Sequence, residues 1–122
     1  MKICITSTGT NLEATLDSRF GRCQFFIIVE TETLDFEVIP NANLEASGGA
    51  GVQSGQLMVS KQVKAILTGN IGPNAEQVLS AAGIKIFTGV TGILKDIIEN
   101  FKQGQYKSAS SPSVGSKFGM TT

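Results

Sequence analysis

The sequence predicts an α/β fold in which a mixed five-stranded sheet is flanked by about three helices. Three observations predict it. Short apolar stretches recur as strand candidates: "KICITS" (2–7), "FFIIVE" (25–30), "FEVIPN" (36–41), "KAILTG" (64–69) and "IKIFTG" (84–89). The second and third are joined only by "TETLD", a link short enough for an antiparallel hairpin. The last two are reached through stretches of helical periodicity, which calls for parallel strands joined by right-handed crossovers.

In chain order, "KICITS" is an early apolar strand and the natural centre of the sheet. A long connection follows, from Thr8 to Gln24, with Leu12, Leu16 and Phe20 spaced by four, a spacing that suggests a helical turn within it. "FFIIVE" is apolar on both faces, as a buried strand is. Beyond the hairpin and the loop "ANLEASGGAG", a helix is expected from Val52 to about Val63, with Val52, Val59 and Val63 at helical spacing. "IGPNAEQVLSAAG" carries the second helix. Ala75, Val78, Leu79 and Ala82 form its apolar stripe, Pro73 suits its first position and Gly83 the residue after its last turn. The third helix is expected from about Thr91 to Lys102, with Leu94, Ile97, Ile98 and Phe101 facing inward. The resulting strand order is 3-2-1-4-5 with strand 2 antiparallel, the order of the ribonuclease-H-like motif.

A chain of 122 residues suits one domain with one core. Residues 1–104 are read as that single α/β domain. Residues 105–122, polar and rich in serine and glycine, are read as a disordered tail outside it. Ten basic residues balance ten acidic ones, so charge supplies no reason to expect nucleic acid or an anionic membrane as partner. No apolar run approaches the ~20 residues of a membrane span, and "MKICITSTG" lacks the layout of a signal peptide. These features predict a cytoplasmic protein. Its two cysteines form no disulfide framework and no Cys-x-x-Cys pair.

In such sheets ligands bind beyond the carboxyl ends of the parallel strands. Those ends are rich in glycine and threonine here: Ser7, Thr8 and Gly9 after the first strand, Gly69, Asn70, Gly72 and Asn74 after the fourth, and Gly89 and Thr91 after the fifth. Gly48, Gly49 and Gly51 lead into the first helix. Glycine lets backbone approach a ligand, and amides beside helix amino ends favour anions. Any one of these loops is as readily a tight turn, whereas several converging on one edge suggest a shared pocket. "GAGVQSG" is not a dinucleotide fingerprint, because some ten loop residues separate its first glycine from the preceding strand. No phosphate-binding Gly-x-x-x-x-Gly-Lys loop is present either.

The connection before the second strand is long against the usual ~4–6 residues, and it holds "RFGRC". Arg19 and Arg22 can reach an anion, Phe20 can anchor the loop and Gly21 can take a positive φ. Cys23 beside two guanidinium groups would have its thiolate favoured, as a metal ligand or nucleophile requires; the other reading is a small buried hydrophobe at a strand start. Cys4, mid-strand in the sheet centre, is read as structural. Without histidine there is no Ser-His or Cys-His pair. Cys4 also stands where a ribonuclease-type metal site would want a carboxylate, so no catalytic constellation is visible.

The stretches "RFGRCQFFIIVE", "GGAGVQSGQLM", "AILTGNIGPNAEQVLSAAGIKIF" and "TGVTGILKDIIENF", with "MKICITSTG", cover nearly all of 1–101. In this combination the chain resembles the dinitrogenase iron–molybdenum cofactor biosynthesis family, small single-domain proteins of ribonuclease-H-like fold. The resemblance implies binding, not catalysis: some members carry the iron–molybdenum cofactor or its iron–sulfur precursor, and related proteins hold other molybdenum-containing sulfide clusters. Many members place a histidine just before the Phe-Gly pair, where this chain has Arg19. Cys23, and after it Cys4, are then the soft ligands left, enough only for a cluster held electrostatically, transiently or with a second chain. The expected function is a non-catalytic metal–sulfur cluster-binding or carrier protein, with the cluster over the carboxyl edge against Arg19–Cys23. The alternative is a metal-independent module that binds a small anionic metabolite, a nucleotide or a regulatory partner at the same edge. Expected partners are the cluster and cluster-assembly proteins, without nucleic acid or membrane, for a monomer or weak homodimer.

Overall fold

The computed structural model describes residues 1–42 and 50–108. Its strands are β1 (Lys2–Ser7), β2 (Phe25–Glu30), β3 (Phe36–Pro40), β4 (Ala65–Leu67) and β5 (Lys85–Phe87). Its helices are α1 (Ala50–Ser60), α2 (Pro73–Ala81) and α3 (Leu94–Lys102). The sheet has the order β3-β2-β1-β4-β5. β1 pairs antiparallel with β2, from Lys2 opposite Glu30 to Ser7 opposite Phe25, and parallel with β4, Ile3 opposite Ala65 and Ile5 opposite Leu67. The expected mixed sheet, with β2 against the direction of its neighbours, is the one observed.

β1 is central because its side chains suit burial on both faces. Ile3 and Ile5 point to one side and pack with Ile27, Leu67, Phe87 and the α3 residues Leu94, Ile97 and Ile98. Cys4 points to the other, among Phe26, Ile28, Ile66, Met58 of α1 and Ala75 and Leu79 of α2. Each fully buried isoleucine or leucine contributes about 1.5–3 kcal/mol of transfer free energy. α1 and α2 approach closely where α1 carries glycine: a Cβ on Gly51 would meet the Ala75 methyl at 3.3 Å, and one on Gly55 would meet Val78 at 3.2 Å.

Several boundaries differ from the sequence reading. α1 ends at Ser60, not near Val63, because Gln62 takes a left-handed φ of 62° and its amide turns back to the Val59 carbonyl. α3 begins at Leu94, not Thr91, because the preceding residues pair with the first loop: Ile93 bridges Thr15, and the Leu16 amide donates to the Gly92 carbonyl. The 8–24 connection forms hydrogen-bonded turns at 11–14 and 19–22 but no helix spanning Leu12 to Phe20. Leu12 and Leu16 pack on the α3 side of the sheet and Phe20 on the α1–α2 side, so their spacing of four reflects a chain crossing the sheet edge. After α3, the Gln105 amide donates to the Asn100 carbonyl and Tyr106 packs beside the α3 cluster. The rest of the expected tail, 109–122, lies outside the described residues.

The turn after β4 needs glycine. A Cβ on Gly69 would stand 2.7 Å from the Cα and carbonyl oxygen of Ser18, backbone that cannot swing away. Gly69→Ala is expected to destabilise the fold by about 1–3 kcal/mol, measured as a lowered thermal midpoint.

Candidate functional site

β1, β3, β4 and β5 end at one edge of the sheet and β2 begins there. Backbone hydrogen bonds join the loops of this edge. Residue 19 bridges residue 70 in parallel: the Asn70 amide donates to the Ser18 carbonyl at 2.7 Å, and the Phe20 amide donates to the Asn70 carbonyl at 3.1 Å. The Gly89 amide donates to the Gly69 carbonyl at 2.8 Å, linking the β5 loop to the β4 loop. The sequence-predicted Arg19, Gly69, Asn70 and Gly89 are thus brought into one strip.

Asp17 shapes the "RFGRC" segment. Its buried carboxylate accepts the Arg19 amide at 3.3 Å and the Gln24 amide at 3.2 Å, spanning the loop from end to end. Its Oδ1 also lies 3.7 Å from the Arg19 Nε. The buried Asn41 side-chain amide donates to the Gly21 and Cys23 carbonyls, each at 3.0 Å. The Thr6 hydroxyl donates to the Asp17 carbonyl and is hydrogen-bonded to the Thr68 hydroxyl, 2.9 Å away, tying the loop base to β1 and β4. Gly21 has the expected positive φ, 89°. Phe20 is buried, tilted against Phe26 with ring centroids 5.5 Å apart. Arg19 and Arg22 remain exposed on the outer side of the loop. None of Asp17, Asn41, Thr6 or Thr68 was singled out from sequence. Asp17, two residues before the amide it accepts, carried a local turn signal; Asn41 lies some twenty residues from its acceptors and carried none.

Of the two readings of Cys23, the structure has the small buried hydrophobe. Its side chain is fully buried beside Cys4 in the α1–α2 core. Burial pushes the Cys23 thiol from its ordinary 9.0 up to about 12, the Asp17 charge adds to the rise, and backbone hydrogen bonds and Arg19 offset only part of it. Burial, and then Cys23, raise Cys4 as well. The guanidinium groups point to solvent while the sulfur points into the core, so proximity in sequence is not proximity in space. Among the described residues no three His, Cys, Asp or Glu side chains group as a metal site. The donors at this edge therefore suit an anion held by charge and amides better than a ligated metal ion.

The amides of the edge are unequally available. Gly9 donates to the Ser7 hydroxyl and Thr8 to the Thr15 carbonyl. The α3 amino end, which follows the predicted Thr91, is taken up by the first loop: the Leu94 amide donates to Ala14 and the Lys95 amide to Leu12. The Thr8 and Gly9 amides are thereby used within the first loop, and residues 12–16 of that loop take up the start of α3. α2 differs. Its N-cap is Gly72, no side chain caps it, Pro73 has no N–H, and among the described residues no partner accepts the Asn74 or Ala75 amide. This uncapped helix amino end follows directly on the strip bonded to Arg19; Asn74 there is exposed, whereas Ala75 is buried against Gly51 of α1. Gly51 lies in the first turn of α1, against Ala75; Gly48 and Gly49 lie outside the described residues.

A family model described as dinitrogenase iron–molybdenum cofactor matches residues 1–104. The chain belongs to that family. An uncharacterised protein of Methanocaldococcus jannaschii is 34% identical over 93 residues, 74% of this chain and 79% of its own. The apo form of the orange protein from Desulfovibrio gigas superposes with a TM-score of 0.85 at 34% identity, covering 89% of this chain and 92% of that one. A Thermotoga protein named for NifB superposes with a TM-score of 0.78 at 33% identity, covering 90% and 94%. No helix among the described residues is long and apolar enough to cross a membrane.

Two outcomes test this geometry. Asn41→Ala leaves two carbonyls of the loop without their donor and is expected to cost about 1–3 kcal/mol, read by chemical denaturation. The raised thiols set a pH dependence: the unfolded chain releases the Cys23 proton near 9.0 and the folded chain only near about 12. Stability is therefore fully present below the lower value and falls as pH rises through that window. Denaturation curves across the window should show the fall, and replacing both cysteines with alanine should flatten it.

Proposed function

We propose that this protein is a non-catalytic carrier that holds an anionic metal–sulfur cluster, of the iron–molybdenum or a related type, at the carboxyl edge of its sheet. The observation that carries the reading is that, among the described residues, no side chain caps the amino end of α2, which begins with the exposed Asn74 beside the loop that presents Arg19 and Arg22. Helix amino ends and guanidinium groups both favour anions. The name of the family, a cofactor, and a relative solved in an apo form both support a removable cargo. With both thiols buried and protonated, the cluster is held by charge and hydrogen bonds without a thiolate ligand, and so bound reversibly. Reversible holding suits transfer between cluster-assembly proteins in the cytoplasm.

The test is anaerobic titration of the protein with a molybdenum–iron–sulfide cluster, followed by visible absorption and metal analysis after gel filtration. Retention is expected to fall with added salt, and to fall about tenfold or more in the Arg19→Gln, Arg22→Gln double variant. Cys23→Ser should retain the cluster as wild type does. A cluster lost in Cys23→Ser but kept in the arginine variant would show thiolate ligation and overturn the reading. Inorganic phosphate retained in place of the cluster would favour the metal-independent alternative.

A further inference from the structure

The amino edge of the sheet, opposite the site above, carries a cavity of its own. It is a surface cleft of about 380 Å³, within the size range of small-ligand clefts, and lies between the first residues of β1 and β4 and the carboxyl ends of α1 and α2. Lys2, Lys64 and Gln62 supply its polar lining, and Val59, Val63 and Ile84 its apolar lining.

The two lysines stand side by side. They precede the Ile3–Ala65 pair of the parallel ladder, and the Lys64 amide donates to the Lys2 carbonyl at 2.8 Å. Like charges opposed across adjacent strands repel. Among the described residues neither ammonium belongs to an ion pair: the lysine pairs formed are Lys61 with Glu37 and Lys95 with Glu13. Glu30, the acid across the ladder from Lys2, is engaged by the N-terminal ammonium and by the Glu32 amide.

The helix ends do not neutralise the pair. α1 and α2 each present about half a negative charge at this edge, against two ammonium groups; on its other side Lys2 adjoins Glu30, Asp35 and Glu37, of which Glu30 is paired with the N-terminal ammonium and Glu37 with Lys61. The backbone groups of those ends are also engaged: the Val63 amide donates to the Met58 carbonyl, and the Ile84 amide to the Leu79 carbonyl. Gln62 adds an independent sign. It occupies the left-handed position after α1, with φ 62°, where glycine is the unstrained residue, as Gly83 is after α2 with φ 78°. Strain of this kind at a cavity wall points to a use for the side chain that bears it.

We propose that this cavity binds a small molecule with one oxyanion group, carboxylate or phosphate, and a short apolar body. Lys2 and Lys64 hold the oxyanion, Gln62 donates a further hydrogen bond, and Val59, Val63 and Ile84 cover the apolar part. The site is separate from the carboxyl edge and independent of what binds there.

Amide chemical shifts of the isotope-labelled chain, followed during titration with benzoate and with phenyl phosphate at low ionic strength, test this. Saturable shifts are expected at Gln62, Lys64 and Ile84 with none at Arg19 or Asn74, and the tighter of the two ligands identifies the headgroup. Lys2→Gln and Lys64→Gln should each weaken binding about tenfold or more, with an otherwise unchanged spectrum showing that the variants are folded. Arg19→Gln should bind as wild type. Shifts that grow linearly without saturation, that centre on the carboxyl edge, or that persist in the lysine variants would overturn the proposal. Gln62→Gly should melt at a higher temperature and bind more weakly; undiminished binding would overturn the role given to Gln62.

Discussion

The fold depends on a single strand that has neighbours on both sides and burial on both faces. β1 pairs antiparallel with β2 and parallel with β4, and Ile3, Cys4, Ile5, Thr6 and Ser7 are all fully buried. A strand in that position cannot leave a backbone donor or acceptor unpaired without losing about 1–3 kcal/mol for each. Once its two neighbours are set, the direction of every loop is set with them. The connections after β1, β3, β4 and β5 must all pass over the same edge, and that edge becomes the place where unlike segments of the chain meet.

What that edge can do is decided by which of its hydrogen-bonding groups remain open. The first loop takes up the amino end of α3, the β4 loop takes up the Gly89 amide, and Asp17 takes up two amides of the arginine loop. Glycine content alone therefore overstates the number of amides open to a ligand. Among the described residues the amino end of α2 has no side-chain cap, and Asn70 just before it is bonded to Ser18 and Phe20 and not folded back over the helix. The same network turns Cys23 inward: Asn41 and Asp17 hold the backbone on either side of it, and the sulfur enters the core with Phe20 and Phe26. An inward sulfur is desolvated and protonated, and the outward arginines become the chemically accessible part of the loop.

The two ends of the sheet carry different electrostatics for a related reason. At the carboxyl edge the helices begin and the exposed cations sit on a loop. At the amino edge α1 and α2 end, and the cations sit at strand starts, Lys2 as the first residue of β1 and Lys64 just before β4. A helix end attracts one sign of charge, and a strand start places side chains in fixed register. The first arrangement places backbone amides and loop cations at the edge; the second places paired side-chain cations there.

The strands, the helices and their order were legible because each is a local pattern: apolar runs such as "FFIIVE", an apolar stripe such as Ala75–Val78–Leu79, a proline at the start of α2 and a glycine after its end. The family was legible from motif combinations, and the match over 1–104 agrees. Residues near one another in sequence were misjudged wherever a distant segment competed for them. Leu12, Leu16 and Phe20 look helical but divide between opposite faces, because pairing with Ile93 and Asn70 outweighs local propensity. Cys23 looks activated by its neighbours but is inactivated by the core it enters. The sequence by itself determined the composition of each element and the charge available to the loops. Only the tertiary structure decided which amides stay open and which way each side chain turns, because both depend on hydrogen bonds and burial between residues tens of positions apart.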